Sequence, residues 1–450
     1  MKNVYLLGIG GIGMSAIARY YNAKGYKVSG YDKVASKLTA ELESEGITIH
    51  YEDRPDLMPD AKDTFLVVYT PAIAPEVKEL QKALGGEYKN IKRGFALGEI
   101  AKDQKCIAIS GSHGKTTTST LTAYIIQESG MGCNAFLGGI SKNYNSNLFL
   151  SPTKTIVAEA DEFDRAFLQL FPSIAVITYM DADHLDVFGD IEHLVEAFKA
   201  FASQVSDFLI VKKGLDITSK DTKAKIYTYA TDDPEADFHA ENIRKDECGY
   251  FIYDLASPFG PIKDIKVGVI GKTNIENSIA AAASCLCHGV PKDAIRSAIG
   301  SFKGAKRRFD IHLNTPHLTY IDDYGHHPEE ISSAIKSIKE VFEGRKLTAI
   351  FQPALYTRTR DFYKDFAKSL SKADALILLD VYGSREKPIP GISSEIIFEN
   401  VTIDDKVLIR KEELLDYLCK LDDIDVLVTF GSGNISNFAD PITKLLEERL

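Results

Sequence analysis

No CxxC pair and no regular cysteine spacing occur in this 450-residue sequence, whose six cysteines stand scattered at 106, 133, 248, 285, 287 and 419. That excludes a disulfide framework and a zinc ribbon, and it leaves buried, reduced thiols as the expectation. No block of lysine or arginine appears either, and acidic residues outnumber basic ones 64 to 53, for a net charge of −11. Neither a nucleic acid nor an anionic membrane is therefore an expected partner, and any anion must be held by local cations. Every apolar run is too short to span a bilayer, no signal-peptide core follows Met1-Lys2, and no repeat or low-complexity tract interrupts the chain. The expected setting is the cytoplasm. With 44% hydrophobic and 26% charged residues the composition is that of an ordinary globular protein. Its length predicts roughly two to four domains.

What the chain does contain is one phosphate-binding device. Residues 106–109 (Cys-Ile-Ala-Ile) read as a buried parallel strand, Gly111 and Gly114 allow a tight turn, and Lys115-Thr116-Thr117-Thr118 opens an apolar helix. Backbone N–H groups of Gly111, Ser112, His113, Gly114 and the first helical turn can cradle the β- and γ-phosphates. The Lys115 ammonium can neutralise transferred charge, and the Thr116 hydroxyl can ligate Mg²⁺. An ordinary P-loop has a glycine six residues before its lysine, whereas Ile109 stands there in this chain, so the loop is the shorter GxxGKT form.

At the start, a strand at residues 4–7 leads into Gly8-Ile9-Gly10-Gly11-Ile12-Gly13 and an apolar helix. A second strand ends near Asp32, where a dinucleotide-binding unit places its ribose-binding acid. This segment alone fits NAD or another nucleotide diphosphate. Strand and helix patterns continue through 65–69, and a short charged linker at 101–105 precedes the phosphate loop. Further α/β alternation runs to about residue 211, with strands at 155–158 and 174–178 and a helix at 191–201. Short alternating runs between 225 and 269 predict an antiparallel insert. Helices return at 274–287 and 291–301. A third α/β series then has strands at 318–321, 347–351, 375–379, 406–409 and 426–430.

Two acidic clusters follow strands of the central region, Glu159-Ala-Asp161-Glu162 and Asp181-Ala-Asp183-His184-Leu-Asp186. Acids at strand ends beside a phosphate loop are how a nucleotide enzyme holds Mg²⁺, and His184 can serve a second metal.

These stretches, with Asn274-Ile-Glu-Asn277, Arg307-Arg308-Phe309, DDYGHHPEE at 322–330 and FQPALYTRTRDF at 351–362, occur in the order seen in the Mur ligases, and the sequence resembles that family over essentially its whole length. The resemblance implies an α/β protein of three domains. The first, 1–103, is a Rossmann-like domain that binds the UDP substrate; the second, 104–310, is a P-loop ATPase carrying the antiparallel insert. The third, 311–450, is a Rossmann-like domain that binds the amino acid and closes by a hinge at 310–313. It also implies ATP and Mg²⁺, with UDP-N-acetylmuramate and L-alanine as substrates, or a preformed tripeptide in place of alanine. The glycine loop (Gly8, Gly10, Gly11, Gly13, with Asp32) then holds a UDP diphosphate rather than NAD. Lys115 and Thr116 take phosphates and metal, Glu159 and His184 the metals, and Asn274 and Asn277 the adenine side of ATP. Arg307 and Arg308 reach phosphates, Asp323 belongs to the nucleotide set, Tyr324 and His326 line the amino-acid pocket, and Arg358 holds the amino acid's carboxylate.

Several positions depart from the family pattern. Tyr179 stands where asparagine is usual, Phe163 where serine is common, and Thr273 where a histidine precedes Asn274. Ala354-Leu355 replace a His-Arg pair before YTRTR, which removes one guanidinium near the expected carboxylate site. Lys199 lies at about the spacing where some relatives carry a carbamylated lysine, although a solvated lysine on a helix face is the plainer expectation.

Overall fold

The structure is a computed structural model that describes residues 3–60, 65–181, 190–247, 249–383, 386–421 and 423–450. Five short segments, β1 (Asn3–Leu7), β2 (Lys27–Tyr31), β3 (Thr48–His50), β4 (Phe65–Tyr69) and β5 (Lys89–Lys92), pair in parallel in the order β3-β2-β1-β4-β5. Helices α1 (Ile12–Ala23), α2 (Lys37–Ser44), α3 (Lys78–Lys82) and α4 (Arg93–Ala101) alternate with or follow them in the chain. The strand order reverses at β1, so the glycine loop leaving its carboxyl end opens into the crevice where such sheets bind ligands.

A second sheet is built on β6 (Lys105–Ser110), which precedes α5 (Lys115–Glu128), a hairpin of β7 (Asn134–Ser141) and β8 (Ser146–Phe149), β9 (Thr155–Glu159) and β10 (Ile174–Ile177). After α6 (Ile191–Ser203) come β11 (Phe208–Lys212), β12 (Lys225–Ala230), β13 (Phe238–Lys245), β14 (Phe251–Ala256) and β15 (Ile262–Lys266). The ten strands run β15-β14-β13-β12-β11-β10-β6-β9-β7-β8. Cys106, Ile107, Ala108 and Ile109 of β6 are at most 1% exposed, as a parallel strand covered on both faces requires. Helices α7 (Thr273–His288) and α8 (Lys292–Ser301) follow. One apolar core includes Val4 and Ile17 from the first sheet and its helix together with Ala158, Phe198 and Phe201 from the second sheet and its helix.

The insert differs from expectation in its pairing. β12 pairs in parallel with β11, and only β13, β14 and β15 are joined by antiparallel pairs, so the sheet continues into the insert without a break. Phe238–Lys245 is a strand that the sequence pattern does not mark, because its polar residues (Glu241, Arg244, Lys245) dilute the alternation.

The third sheet contains β16 (Asp310–Asn314), β17 (Thr319–Asp323), β18 (Leu347–Phe351), β19 (Ala375–Leu379), β20 (Lys406–Ile409) and β21 (Val426–Phe430), in the order β16-β17-β21-β18-β19-β20. All pairs are parallel except β16 with β17. The segment expected to act as a hinge is therefore an edge strand, paired with β17 in a register that sets Asp310 opposite Asp322 and Ile311 opposite Ile321. Helices α9 (Pro328–Val341), α10 (Tyr356–Leu370), α11 (Glu395–Phe398), α12 (Leu414–Cys419) and α13 (Ala439–Glu447) complete this part. The chain divides into two compact units, Met1–Val269 with Asn274–Lys303, and Ile270–Thr273 with Gly304–Leu450. Cys106, Cys133 and Cys285 are buried, whereas Cys419 is exposed, and Cys248 lies outside the described residues. Among the described residues no helix is long and apolar enough to cross a membrane.

Phe198 is fully buried and meets the Phe167 ring edge-on at 5.3 Å, beneath the loop that carries the first acidic cluster. Phe198→Ala is expected to destabilise the first unit by about 3 to 5 kcal/mol. Urea unfolding checks this, and a loss below about 1 kcal/mol would contradict the packing described.

Candidate active site

The phosphate loop is made by close approaches that only glycine permits. Gly111 has φ +129° and a Cβ there would collide with Thr178 just past the end of β10; Gly114 has φ +79° and a Cβ would lie 2.7 Å from Asn277 Oδ1. Neighbouring side chains fix the rest. Thr178 Oγ1 donates to the carbonyls of Ser110 (3.1 Å) and His113 (2.5 Å), Ser112 N donates to Tyr179 O (3.0 Å), and Asp181 N donates to Ser112 Oγ (2.9 Å). Thr116 and Thr117 lie in the first turn of α5, whose N-terminal amides face the loop.

Lys115 is nearly buried, with 14% of its side chain exposed, and its Nζ donates to Gly111 O (2.5 Å) and to Glu162 Oε1 (2.7 Å). Burial alone would lower its pKa, but Glu162, Asp161 and Glu159 together outweigh burial and raise it, so the ammonium stays charged. Glu162, 1% exposed, has its own pKa raised by burial in spite of Lys115. Glu159 accepts hydrogen bonds from Thr116 Oγ1 (3.1 Å), Ser119 Oγ (3.2 Å) and Gly138 N (3.0 Å). The structure thus brings Lys115, Thr116 and Glu159 together at one strand edge. His184, Asp183 and Asp186 lie outside the described residues. No group of three or more metal-binding side chains forms among the described residues.

Asn277 opens toward the same loop. Its Oδ1 accepts from Thr118 Oγ1 at 3.4 Å, and its Nδ2 donates to Asn274 Oδ1 at 3.2 Å. Beside them is a group that sequence reasoning missed: Tyr179 donates its hydroxyl to Glu276 (2.5 Å), Lys212 pairs with Glu276 (2.8 Å), and the Lys212 ammonium lies 3.6 Å from the centre of the Tyr179 ring. Its one signal in the sequence is Tyr179 itself, an aromatic where the family has asparagine. Lys199 pairs with Asp216 at 2.6 Å in exposed surroundings, and that pairing raises its pKa, the state of a solvated ammonium.

In the glycine loop of the first sheet, Gly8 has φ +81° and lies against Thr70, Gly11 N donates to Gly8 O (3.1 Å), and Gly10 N donates to Asp32 Oδ2 (2.8 Å). Asp32 therefore shapes the loop through its backbone. Gly13 lies against Arg93, which pairs with Asp161 at 2.6 Å.

In the second unit, the sequence Asp322-Asp323-Tyr324 at the end of β17 collects cations. Arg307, at φ +62°, donates from Nε to Asp322 (3.2 Å) and from its guanidinium to Gly431 O. Asp323 accepts from Phe309 N and Gly325 N, both at 2.8 Å, and burial raises its pKa. The guanidinium carbons of Arg307 and Arg308 each lie 5.1 Å from the centre of the Tyr324 ring, and the His326 ring meets Tyr324 edge-on at 5.0 Å.

His326 Nδ1 faces two acceptors, Tyr324 O (3.2 Å) and Glu330 Oε2 (3.3 Å), which together place the ring proton on Nδ1 and leave Nε2 with a lone pair. Burial, with Arg358 and Arg308 nearby, pushes the imidazole down to about 4, so it is neutral at physiological pH. Burial would raise Glu330, but His326, Arg308 and the amides of His326 and His327 hold it at about 2. Arg358 makes no hydrogen bond or ion pair among the described residues, so its fork is free for a carboxylate. Arg360 is instead bound to its neighbour Asp361 on the exposed face. Where the expected His-Arg pair is missing, the α10 N-terminus is met by a carboxylate of the protein: Glu386 accepts from Thr357 N (3.0 Å) and from the Thr357 hydroxyl.

Three family models match this chain in order: the catalytic domain of the Mur ligase family over residues 3–105, the Mur ligase middle domain over 109–285, and the Mur ligase glutamate ligase domain over 307–433. The UDP-N-acetylmuramate--L-alanine ligase of Parabacteroides distasonis is 48% identical, covering 98% of this chain and 97% of its own. That of Flavobacterium psychrophilum is 47% identical, covering 100% and 99%. Among solved structures, the UDP-N-acetylmuramate-alanine ligase of Thermotoga maritima superposes with a TM-score of 0.84 over 100% of both chains at 24% identity. A murein peptide ligase from Psychrobacter arcticus gives 0.74 over 99% of both at 21% identity. At those identities both speak to the fold.

The depressed His326 pKa sets a sign for stability. An unfolded histidine binds its proton near pH 6.5 and the folded one near 4, so the unfolded state takes up protons first and stability falls as pH drops between those values. Glu330 extends the loss from its ordinary pKa down toward 2. His326→Gln is expected to remove the upper part of this slope, on the order of 2 to 3 kcal/mol between pH 7 and pH 4. Urea midpoints at pH 7, 5.5 and 4.5 measure it, and identical slopes in the two proteins would contradict the burial of a neutral imidazole.

Proposed function

The chain belongs to the Mur ligase family, and we propose that it is the cytoplasmic, ATP-dependent and ADP-forming ligase that joins L-alanine to the lactyl carboxylate of UDP-N-acetylmuramate in peptidoglycan synthesis. The observation that carries this reading is that the similarity runs unbroken through all three segments, at 48% identity over 98% of the chain, including the segment that contains Arg358 and His326.

A carboxylate is a poor electrophile, so the reaction needs an acyl phosphate. The lactyl carboxylate attacks the γ-phosphorus of ATP and ADP leaves; the alanine amine then attacks the activated carbonyl and phosphate leaves. Two anions meet in the first step, and the Lys115 ammonium, already charged and held by Glu162, is the group suited to pass onto the transferring phosphoryl. The oxygen donors of Thr116 and Glu159 suit a hard cation, and we assign them one Mg²⁺, with His184 assigned to a second metal. Bound there, Mg²⁺ supplies neutralisation of the β- and γ-phosphate charge. Gly8, Gly10, Gly11 and Gly13 take the UDP diphosphate, with Asp32 holding the loop. Asn274 and Asn277 take the adenosine side of ATP.

For the acceptor, Arg358 offers a two-pronged clamp to the alanine carboxylate, and Tyr324 borders the pocket. Alanine arrives as an ammonium and must lose a proton before it attacks. His326 Nε2, neutral and unprotonated at physiological pH, is the group we assign to accept it.

The direct test is phosphate release from ATP with UDP-N-acetylmuramate, compared across L-alanine, glycine, L-serine and the tripeptide. Alanine is expected to support the fastest release; release with the tripeptide alone would move the chain to the recycling ligases. Lys115→Ala should slow turnover by roughly a hundred-fold or more, on the order of 3 kcal/mol of barrier, and leave UDP-substrate affinity nearly intact. A parallel loss of UDP-substrate binding would contradict the assignment of the two loops. Arg358→Lys should raise the KM for alanine at least roughly ten-fold with little change for ATP, because an ammonium cannot reproduce a bidentate clamp. An unchanged alanine KM would place the carboxylate elsewhere.

A further inference from the structure

Arg93 opens α4 directly after β5 and faces two neighbours at once. Its Nη2 donates to Asp161 Oδ2 at 2.6 Å. Its Nη1 lies where a Cβ on Gly13 would come within 2.5 Å, so a glycine at 13 is what admits the guanidinium this close to the first turn of α1. No other hydrogen bond or ion pair engages the Arg93 side chain among the described residues, which leaves Nε and Nη1 as donors beside the glycine loop. Its side chain is 22% exposed, enough for a ligand to reach. The adjacent cation is already taken, since Lys92 pairs with Asp164 at 2.8 and 3.0 Å. Arg93 is thus a cation with donors to spare beside Gly13.

The other end of the guanidinium leads to the phosphate loop. Asp161 precedes Glu162, which holds Lys115 at 2.7 Å. Arg93 on Asp161 and Lys115 on Glu162 thus engage adjacent carboxylates of one acidic turn. A small cleft bounded by Pro71, Arg93, Gly94 and Arg165 opens beside this turn.

We infer that Arg93 grips the diphosphate of the nucleotide-linked substrate through Nε and Nη1 while Nη2 stays on Asp161, which makes Asp161 a positioning residue for substrate binding. The inference rests on the assignment of the UDP diphosphate to the glycine loop. It predicts that the acidic turn orients both the cation for the substrate and, through Glu162, the cation for the transferred phosphoryl.

Calorimetric titration of the full chain with UDP-N-acetylmuramate, UDP and UMP, in the absence of ATP, tests it. Arg93→Ala should weaken UDP-N-acetylmuramate and UDP by about ten- to a hundred-fold, the scale of a lost charged hydrogen-bond pair, and leave UMP nearly unaffected. Arg93→Lys, which keeps the positive charge beside Asp161, should fall between. Asp161→Asn should weaken UDP several-fold in the wild-type background and add little on top of Arg93→Ala, because both changes remove one interaction. Affinity for an ATP analogue should be unchanged in Arg93→Ala. Unaltered UDP affinity in both Arg93 variants, or equal losses for UDP and UMP, would overturn the inference while leaving the ligase reading in place. Failure of the wild-type chain to bind any uridine nucleotide would overturn both.

Discussion

A lysine ammonium buried at the head of a helix must be neutralised by something, and the neighbourhood of Lys115 is arranged around that requirement. Glu162 supplies the counter-charge at 2.7 Å and Gly111 a carbonyl at 2.5 Å, so the cation is held charged among groups that a phosphate can displace. Placing Glu162 there fixes Asp161 one residue earlier, and Asp161 in turn ties down Arg93 beside the glycine loop of the first sheet. One acidic turn therefore holds both Lys115 at the head of α5 and Arg93 beside the glycine loop. Beneath it the stacked Phe167 and Phe201 rings, 5.0 Å apart, provide an apolar support that water cannot enter.

The second unit solves a different problem. On the function proposed for this chain, a carboxylate and an amine are received here together, which calls for a free guanidinium near an uncharged base. Burial strips His326 of its proton, while the charges and amides around Glu330 hold that carboxylate ionised beside it. Arg307 and Arg308 sit over Tyr324, and Arg358 and Arg308 add to burial in disfavouring the His326 imidazolium. The positive φ at Arg307 and at Phe309 shows that this turn is held by its partners, Asp310, Asp323 and Gly431, rather than by its own preference.

Much of this was legible from residue order alone. Continuous apolar runs such as Leu347–Phe351 and Val426–Phe430 read as buried parallel strands, and their bounds agree with expectation to the residue. Loop chemistry marked the tight turn before α5, because Gly111 and Gly114 stand where no side chain fits. Pairing was less legible. The polar strand Phe238–Lys245 and the edge strand Asp310–Asn314 owe their conformation to a neighbour's free edge, which no local pattern records. The same holds for side-chain partners distant in sequence: nothing in the order of residues joins Arg93 to Asp161, or Tyr179 to Lys212 and Glu276.

The central claim is that a carboxylate brought to the Lys115 loop is activated by phosphoryl transfer before the amine attacks. Isotope transfer measures that step directly. With UDP-N-acetylmuramate labelled with ¹⁸O in the lactyl carboxylate, and with ATP and L-alanine, one labelled oxygen should appear in the released phosphate for each amide formed. Amide formation accompanied by unlabelled phosphate would contradict the acyl-phosphate route and, with it, the role assigned to Lys115.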